Sequence, residues 1–328
     1  MTRKLIIYGA TGYTGSLVAR QAKAAGLDFV IAGRDATKLE VLSQDLDVPY
    51  AAFSVDTVAE LAMALAEYDV VLNCAGPFAK TAEPIMRACI EVGAHYLDIT
   101  AEFNVYTLAE SLSVEARSGG SMLLPGAGWD VVPSDCLAVH TVAKVEKPQR
   151  LRIALQVAGS MSRGSAISAA EIMAVGLLAR VDGEIVAVPD AKTAEFNFGN
   201  GYVECYPLSF GDLITAWHST QVPNIEMFVH VTGAAFPEGD LSALPDGPSE
   251  AEKTANRAMV VADVLGEDGS FASSMIDTVN GYTYTPLAAI EAARRVLAGE
   301  FRRGFTTPAM VFGSDFAGSI ADTRIIDL

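Results

Sequence analysis

The sequence predicts an α/β protein with a doubly wound parallel sheet, followed by a second, α+β region. Strand-type apolar runs alternate with helical patterns about six times in the first 130 residues, an order typical of a parallel sheet covered by helices. One of these runs, 70–72, contains only Val and Leu, as expected of a strand buried on both faces. From Leu151 onward the pattern changes, and strand-type runs lie on both sides of one clear helix.

The elements of the first region follow from apolar runs, glycines and capping residues. Asp35 is expected to cap a helix that begins at Ala36 rather than to bind a ligand. Strands are predicted at 5–8, 28–33, 51–56, 68–77, 94–99 and 121–124, and the other helices at 16–22, 57–67, 84–93 and 103–117.

The second region is predicted from the same signals. Residues 237–248, rich in Gly, Pro, Asp and Ser, indicate a loop, and Ser249 begins the next helical pattern. Strands are predicted at 151–155 and 226–231, helices at 165–179, 249–265 and 285–297, and a hairpin-like stretch at 270–284.

Composition excludes several classes of partner. Lys and Arg number 23 against 40 for Asp and Glu, so the formal charge of −17 opposes binding to nucleic acid. No apolar run approaches the roughly 20 residues of a membrane span, so no membrane partner is expected. The four cysteines are dispersed, lack metal-ligand spacing and predict buried free thiols in a reducing cytoplasm; they are Cys74, Cys89, Cys136 and Cys205.

A glycine-spaced turn connects the first strand to the first helix. The spacing is G-x-x-G-x-x-G, and strand, turn and helix in this order form the first unit of a dinucleotide-binding Rossmann fold. Gly9 permits the turn, Gly12 lets the backbone approach a pyrophosphate, and Gly15 lets the helix pack near the strand. The helix N-terminus offers N–H groups and a positive dipole end to the phosphates. The residues predicted to bind the cofactor here are Gly9, Ala10, Thr11, Gly12, Tyr13, Thr14 and Gly15.

Basic residues follow the second strand, where a dinucleotide places its adenosine ribose. An acid there would hold the 2′-OH of NAD, whereas an arginine accommodates the 2′-phosphate of NADP. The first residue past the strand is Arg34, and Lys38 lies one helical turn further on. The sequence therefore favours NADP over NAD.

Small residues close the fourth strand, at the sheet edge where α/β proteins bind their ligands. They would let the nicotinamide half of the cofactor lie against the backbone. The residues predicted to contact it are Asn73, Cys74, Ala75, Gly76 and Pro77.

Several stretches together resemble the saccharopine dehydrogenase-like oxidoreductases, a group that includes trans-acting enoyl reductases. The resemblance covers most of the chain and implies NAD(P)-linked redox chemistry on a Rossmann domain with an inserted second domain. The stretches that carry it are 8–15, 32–34, 73–78, 95–100 and 125–135 in the first region, and 162–165, 217–220 and 223–225 in the second.

A change of character near Lys147 and Pro148 gives the predicted domain bounds. A chain of 328 residues is too long for one ordinary domain and suits two. We predict an NAD(P)-binding Rossmann domain over 1–147, an α+β substrate and dimerisation domain over 148–280, and a C-terminal helix and tail over 281–328 that packs back on the Rossmann domain.

Reduction of a C=O, C=N or activated C=C needs a proton donor or a charge-stabilising group beside the nicotinamide. Lys80 and Glu102 follow strands that end at the expected site, and His218 lies in a polar cluster of the second region. These three residues are the predicted catalytic candidates, although each also suits a structural role. Asp98 is a further cleft candidate, and Arg163 is expected to hold a substrate carboxylate.

The sequence thus predicts an NADP-dependent reductase that acts on a small or acyl substrate, without a metal. No lysine has a tyrosine four residues before it, which argues against a short-chain dehydrogenase. Two alternatives stay open: a non-catalytic NADP-binding sensor, and an isomerase or epimerase that keeps its cofactor bound. The mean hydropathy of +0.29 and the expected strand edges favour a homodimer.

Overall fold

The structure is a computed structural model that describes residues 4–232 and 244–328. The chain forms two compact units that interleave along the sequence. Among the described residues, the first contains 4–100, 104–129 and 285–306, and the second contains 101–103, 130–232, 244–284 and 307–328. Most of the helix Gly281–Leu297 and the short strand Gly304–Phe305 therefore belong to the first unit. These bounds differ from the predicted division at 147 and 280.

A seven-stranded parallel sheet is the centre of the first unit, as far as the described residues show, in the order β15-β6-β5-β4-β1-β2-β3. The predicted doubly wound α/β fold is confirmed. Its strands are β1 (Leu5–Tyr8), β2 (Phe29–Gly33), β3 (Tyr50–Ala52), β4 (Val70–Asn73), β5 (His95–Asp98), β6 (Met122–Leu124) and β15 (Gly304–Phe305). Its helices are α1 (Tyr13–Ala24), α2 (Ala36–Leu46), α3 (Val58–Leu65), α4 (Phe78–Val92), α5 (Phe103–Ser111), α6 (Ser113–Gly119) and α11 (Gly281–Leu297), of which α5 and α11 each start in the second unit.

The central strands of this sheet are buried on both faces. All four residues of β1, of β4 and of β5 are buried, because helices cover parallel strands on both faces. The topology is that of a nucleotide-binding sheet, with β1 and β4 adjacent at its centre. The carboxyl ends of these two strands carry the candidate site.

Two helix boundaries differ from the prediction in this unit. The fourth helix begins at Phe78, six residues before the predicted Pro84, with Pro77 at its N-cap position and Pro84 inside the helix. The predicted helix 103–117 is two helices, with Leu112 at the N-cap of the second.

The second unit contains a mixed sheet of nine strands among the described residues, in which β7 lies between β12 and β13. The strands are β7 (Pro148–Ala158), β8 (Leu178–Val181), β9 (Glu184–Ala187), β10 (Ala194–Asn197), β11 (Tyr202–Pro207), β12 (Asn224–Thr232), β13 (Ala258–Gly266), β14 (Phe271–Thr278) and β16 (Arg324–Asp327). The helices are α7 (Val132–Val142), α8 (Arg163–Ala174), α9 (Asp212–Thr220), α10 (Glu250–Ala255) and α12 (Pro308–Phe312), followed by a 3₁₀ helix, Ser314–Ser319.

The sequence prediction was less accurate in this unit. The helix predicted over 249–265 ends at Ala255, and the chain then forms β13, because Val260 and Val264 have buried places between β7 and β14. Ser249 does begin a helix and forms a capping box with Glu252. The helix predicted over 165–179 ends at Ala174, and 178–181 form a strand.

The remaining predictions on this unit concern one loop and one hairpin. The hairpin pairs β13 with β14 rather than lying within 270–284. Residues 237–243 of the predicted loop lie outside the described part of the chain. Within that part, no helix has the length and apolar character needed to cross a membrane.

Candidate functional site

The glycine turn after β1 is shaped by close backbone contacts. Gly9 has φ +81°, and a Cβ there would lie 2.6 Å from the backbone nitrogen of Ala75. A Cβ on Gly15 would lie 2.1 Å from the Gly9 carbonyl oxygen, closer than atoms can approach. Glycine is therefore required at both positions, by the conformation at Gly9 and by the helix–strand contact at Gly15. Ala10 is buried, and its N–H donates to the carbonyl of Ala32.

Gly12 differs from the other two glycines of the turn. It is exposed, and the nearest atom to a Cβ built there is the Gly9 carbonyl oxygen, at 3.4 Å. The packing does not require glycine here, so its bare backbone leaves room for a group to approach from outside. Gly12 is the N-cap of α1, and the first turn of this helix has no acidic residue. The turn therefore suits a phosphate. Thr11, Tyr13 and Thr14 flank it and are partly buried.

Arg34 follows β2 directly and is exposed. Within the described chain its guanidinium forms no ion pair, although it lies near enough to Tyr8 to lower the pKa of that phenol, which burial raises. The Asp35 side chain caps α2 and accepts the N–H of Lys38 at 3.1 Å, as the sequence predicts. The Lys38 ammonium lies 4.0 Å from the same carboxylate, with 71% of its side chain exposed. Arg34 and Lys38 are therefore both exposed cations that are available to an external phosphate, and Arg34 is the one without an ion pair in the described chain.

Hydrogen bonds from the side chains of Asn73 and Thr81 hold the loop after β4. Asn73 is fully buried, and its amide donates to the hydroxyls of Thr81 (3.1 Å) and Tyr96 (3.2 Å) and accepts the N–H of Ala75 (3.0 Å). The Thr81 hydroxyl donates to the Ala75 carbonyl at 2.6 Å. The Asn73 side chain therefore binds this loop rather than projecting toward a ligand. Cys74 is buried, and burial raises the pKa of its thiol.

The exposed part of this loop is its backbone. Gly76 is exposed and Pro77 is partly buried, and the peptide bond between them is cis. Lys80 lies in the first turn of α4 and is exposed. The predicted contact surface for the nicotinamide thus consists of small residues and main chain.

Asp98 ends β5 and is fully buried. Its carboxylate accepts the Tyr96 hydroxyl at 2.7 Å and the backbone N–H groups of Thr100 at 3.0 Å and Gly126 at 2.8 Å. These bonds hold the loops that follow β5 and β6. Asp98 was expected to face the cleft, but its three partners give it a structural role.

Glu102 belongs to the second unit and is buried, accepting the Ser168 hydroxyl at 2.7 Å. On the same face of α8, Ser165 accepts the hydroxyl of Tyr282 at 2.9 Å. Arg163, expected to hold a carboxylate, donates to the Leu244 carbonyl and pairs with Asp246.

His218 is partly buried in the last turn of α9. It lies near Asp135, whose pKa is raised chiefly by burial and lowered in part by the charge of His218. The Asp135 carboxylate accepts the Ser219 hydroxyl at 2.6 Å and the N–H of Ala309 at 2.8 Å. His218 thus neighbours a buried acid, a setting compatible with proton transfer and with a structural role.

Two further carboxyl groups lie in this region. Burial raises the pKa of Asp130 to about 6. Asp212 is fully buried, and neither of its oxygens has a hydrogen-bond partner among the described residues. Burial raises its pKa well above the usual range, and the Ser134 hydroxyl, which donates to the Val131 carbonyl at 3.1 Å, offsets this only in part. No group of His, Cys, Asp or Glu in the described residues has the arrangement of a metal site.

Sequence reasoning missed Tyr96, Thr81 and Asp212. A signal for Tyr96 existed, because residues i and i+2 of a strand share a face, which places it beside Asp98. Asp98 is also the register partner of Asn73 on β4. No local pattern marked Asp212, since its burial depends on the packing of α9 against α7.

Comparison with known proteins agrees with the architecture. The fold resembles that of apo saccharopine dehydrogenase (L-Glu forming) from Saccharomyces cerevisiae, with a TM-score of 0.66 and 14% identity over 99% of this chain and 100% of that chain. At this identity the likeness concerns the fold alone.

Three relatives show similarity over a shared part of the sequence. A lipid droplet localized protein from Caenorhabditis elegans is 30% identical over 43% of this chain and 36% of its own length. A saccharopine dehydrogenase-like oxidoreductase from Homo sapiens is 29% identical over 43% and 38%. A trans-acting enoyl reductase from Mycobacterium bovis is 28% identical over 40% and 33%. The chain therefore matches less than two fifths of the length of each.

The family model that matches this chain is the saccharopine dehydrogenase NADP binding domain, over residues 5–124. This range contains β1 to β6 with the glycine turn, Arg34 and the loop after β4. Over residues 5–124 the chain is therefore similar to the saccharopine dehydrogenase NADP binding domain.

Proposed function

We propose that this protein is an NADP-dependent oxidoreductase that acts as a reductase on a C=O, C=N or activated C=C of a small or acyl substrate. The observation that carries the proposal is the cradle at the end of β1, where the exposed Gly12 begins an α-helix with no acid in its first turn. When bound, the nicotinamide supplies the hydride, and the protein has to hold it and exclude competing reactions. The relative named trans-acting enoyl reductase supports the activated C=C among these substrates.

NADP is proposed over NAD because of Arg34. The residue that would meet the 2′-position is a guanidinium without an ion-pair partner in the described chain, and the neighbouring acid, Asp35, is occupied as a helix cap. A guanidinium can bind a phosphate through two parallel hydrogen bonds. The matching family model is itself named for NADP binding.

Calorimetric titration with NADPH and NADH tests this preference. We expect Arg34→Ala to weaken NADPH binding by about 10- to 100-fold, the value of a charge-assisted contact, while NADH binding changes little. Arg20→Ala is the matched control, because Arg20 is an exposed arginine of the same unit that pairs with Asp45. Equal affinities for the two cofactors in the parent protein would contradict the proposal.

The proton donor is proposed from His218, Lys80 and Glu102, with His218 first because it lies beside the buried Asp135 carboxyl group. A positioned donor contributes about 10²- to 10⁴-fold in rate. His218→Gln should therefore lower kcat by that factor and leave NADPH affinity unchanged. Near-normal turnover would remove His218 from the mechanism and direct attention to Lys80→Met and Glu102→Gln.

Oxidation of NADPH with a panel of carbonyl, imine and enoyl compounds tests the reaction itself. Turnover with one class identifies the substrate chemistry. Cofactor binding without turnover on any of them would favour the sensor, and cofactor that stays bound through gel filtration without net oxidation would favour an isomerase or epimerase.

A homodimer is proposed through the second unit. Its sheet ends in the strand β16, and Tyr202, Phe271 and Ile326 leave apolar surface exposed on its strands. Light scattering at micromolar concentration should give twice the mass of the chain, and one subunit mass at all concentrations would contradict it. The proposed compartment is the cytoplasm, which suits four buried cysteines that form no disulfide in the described part of the chain.

A further inference from the structure

A chain of buried hydrogen bonds connects β5 and β4 to the loop beside the glycine turn. Tyr96 donates to Asp98 at 2.7 Å and accepts one N–H of the Asn73 amide at 3.2 Å. The second N–H of that amide donates to Thr81 at 3.1 Å, and Thr81 donates to the carbonyl of Ala75 at 2.6 Å. We refer to Asp98, Tyr96, Asn73 and Thr81 as the anchoring chain.

Every donor and acceptor in the anchoring chain has one consistent orientation. The amide of Asn73 is fixed because its oxygen accepts the N–H of Ala75 at 3.0 Å, so both of its N–H bonds must point to hydroxyls. Each hydroxyl then accepts from Asn73 and donates onward. Burial raises the pKa of Tyr96 well above its usual value, with the Asp98 charge adding to the rise, so the phenol stays protonated as a donor.

The anchoring chain ends on both polar backbone atoms of Ala75. That residue lies directly against the glycine turn, because a Cβ on Gly9 would approach its nitrogen to 2.6 Å and its Cα to 2.8 Å. The position of Ala75 therefore sets the distance between the two backbone segments that the cofactor has to meet. A preformed backbone saves the ordering cost that a loose loop would add to binding.

We propose that Asn73 and Thr81, held by Tyr96 and Asp98, are positioning residues that fix the backbone of Ala75 for the nicotinamide half of the dinucleotide. They act through the loop and do not touch the ligand. This inference rests on the proposed NADP binding and adds to it which interior residues set the affinity of one half of the cofactor.

The experiment compares NADPH with 2′,5′-ADP, which carries the adenosine and 2′-phosphate but no nicotinamide. Thr81→Val keeps the shape of the side chain and removes the hydroxyl, whereas Thr81→Ser keeps the hydroxyl. We expect Thr81→Val to weaken NADPH binding about three- to tenfold, the value of one hydrogen bond, and to leave 2′,5′-ADP within twofold of the parent. Thr81→Ser should restore NADPH binding to within twofold. The fluorescence of bound NADPH should also shift toward that of free NADPH in Thr81→Val only.

The possible results separate the inference from the function on which it rests. A parent protein that binds neither ligand contradicts the proposed function and this inference with it. A parent that binds both, with Thr81→Val weakening both equally or neither, overturns the inference and leaves the function intact. Failure of Thr81→Ser to restore binding also overturns it, because the hydroxyl would then not be the cause. Tyr96→Phe provides a second variant, with the same selective loss expected for NADPH.

Discussion

Two buried aspartates, one in each unit, have the same side chain and the same complete burial but opposite surroundings. Among the described residues, Asp98 accepts hydrogen bonds from the Tyr96 hydroxyl and from two backbone N–H groups. Asp212 has no hydrogen-bond partner in the described residues, and Asp130 and Asp135 lie near enough to raise its pKa further beyond the effect of burial. Burial alone therefore does not decide what a carboxyl group does.

The number of donors separates the two cases. Removing a carboxylate from water is costly unless hydrogen bonds replace the lost solvent. Asp98 has these bonds and holds two loops at the ligand edge of the sheet, so its charge is compatible with the fold. Asp212 lacks them, so its neutral form is the stable one in the folded protein.

Asp98→Asn is the substitution with the largest expected effect on stability. The amide keeps one oxygen for Thr100 and Gly126 but presents an N–H₂ group to the Tyr96 hydroxyl, which already accepts from Asn73. That hydroxyl would face two donors and lose its own acceptor. We expect a loss of about 1.5–3 kcal/mol in the free energy of unfolding, measured by denaturant titration.

Asp45→Asn is the control for this comparison. Asp45 is an exposed aspartate of the same unit, paired with Arg20, and a change there should stay within about 0.5 kcal/mol. If Asp98→Asn is as mild as this control, the three bonds to Asp98 contribute little and the contrast between the two aspartates is not energetic.

Asp135→Asn tests whether the effect on stability depends on the number of hydrogen-bond donors to the carboxylate or on the unit in which the aspartate lies. Asp135 lies in the second unit with Asp212 but accepts from Ser219 and the N–H of Ala309. In the variant, the Ser219 hydroxyl can donate to the Thr307 hydroxyl, 2.6 Å away, so it keeps a hydrogen-bond acceptor. We expect a smaller loss than at Asp98, about 1 kcal/mol, in the same denaturant titration. A gain in stability would show that the unit in which the aspartate lies, and not the number of its donors, determines whether the substitution stabilises or destabilises the protein.

The fold of the first unit was predictable because its signals are local. Its buried strands are uninterrupted apolar runs, and a glycine turn joins the first strand to its helix, so the sequence shows both directly. In the second unit, residues 258–265 were predicted as part of a helix over 249–265, but they belong to β13. Only the neighbouring strands make them β-structure, and pairing partners distant in sequence leave no local signal.

The candidate site shows the same difference between features with a local sequence signal and features that depend on distant partners. Conformational demands at Gly9 and Gly15 are visible in a spacing pattern, and so is the capping role of Asp35. Asn73 and Asp98 were named as ligand or cleft residues because amides and carboxylates suit both ligands and buried networks. Which role each has depends on partners such as Tyr96, which residue type and spacing do not reveal.

Asp212→Asn should give the smallest shift, in the opposite direction. The folded protein holds the Asp212 proton because its pKa is raised, while the unfolded chain releases it above pH of about 4. In that range the unfolded state binds fewer protons, so the stability of the parent falls as pH rises toward the folded pKa. Asn carries no such penalty, so we expect a Tm about 2 °C above the parent at pH 8 and no difference near pH 4, measured by scanning calorimetry. Asp130 and Asp135 raise the pKa of Asp212, so the difference between the two curves reports Asp212 together with its coupling to these two carboxyl groups. A difference that does not change with pH would mean that Asp212 affects stability by packing and not by its charge.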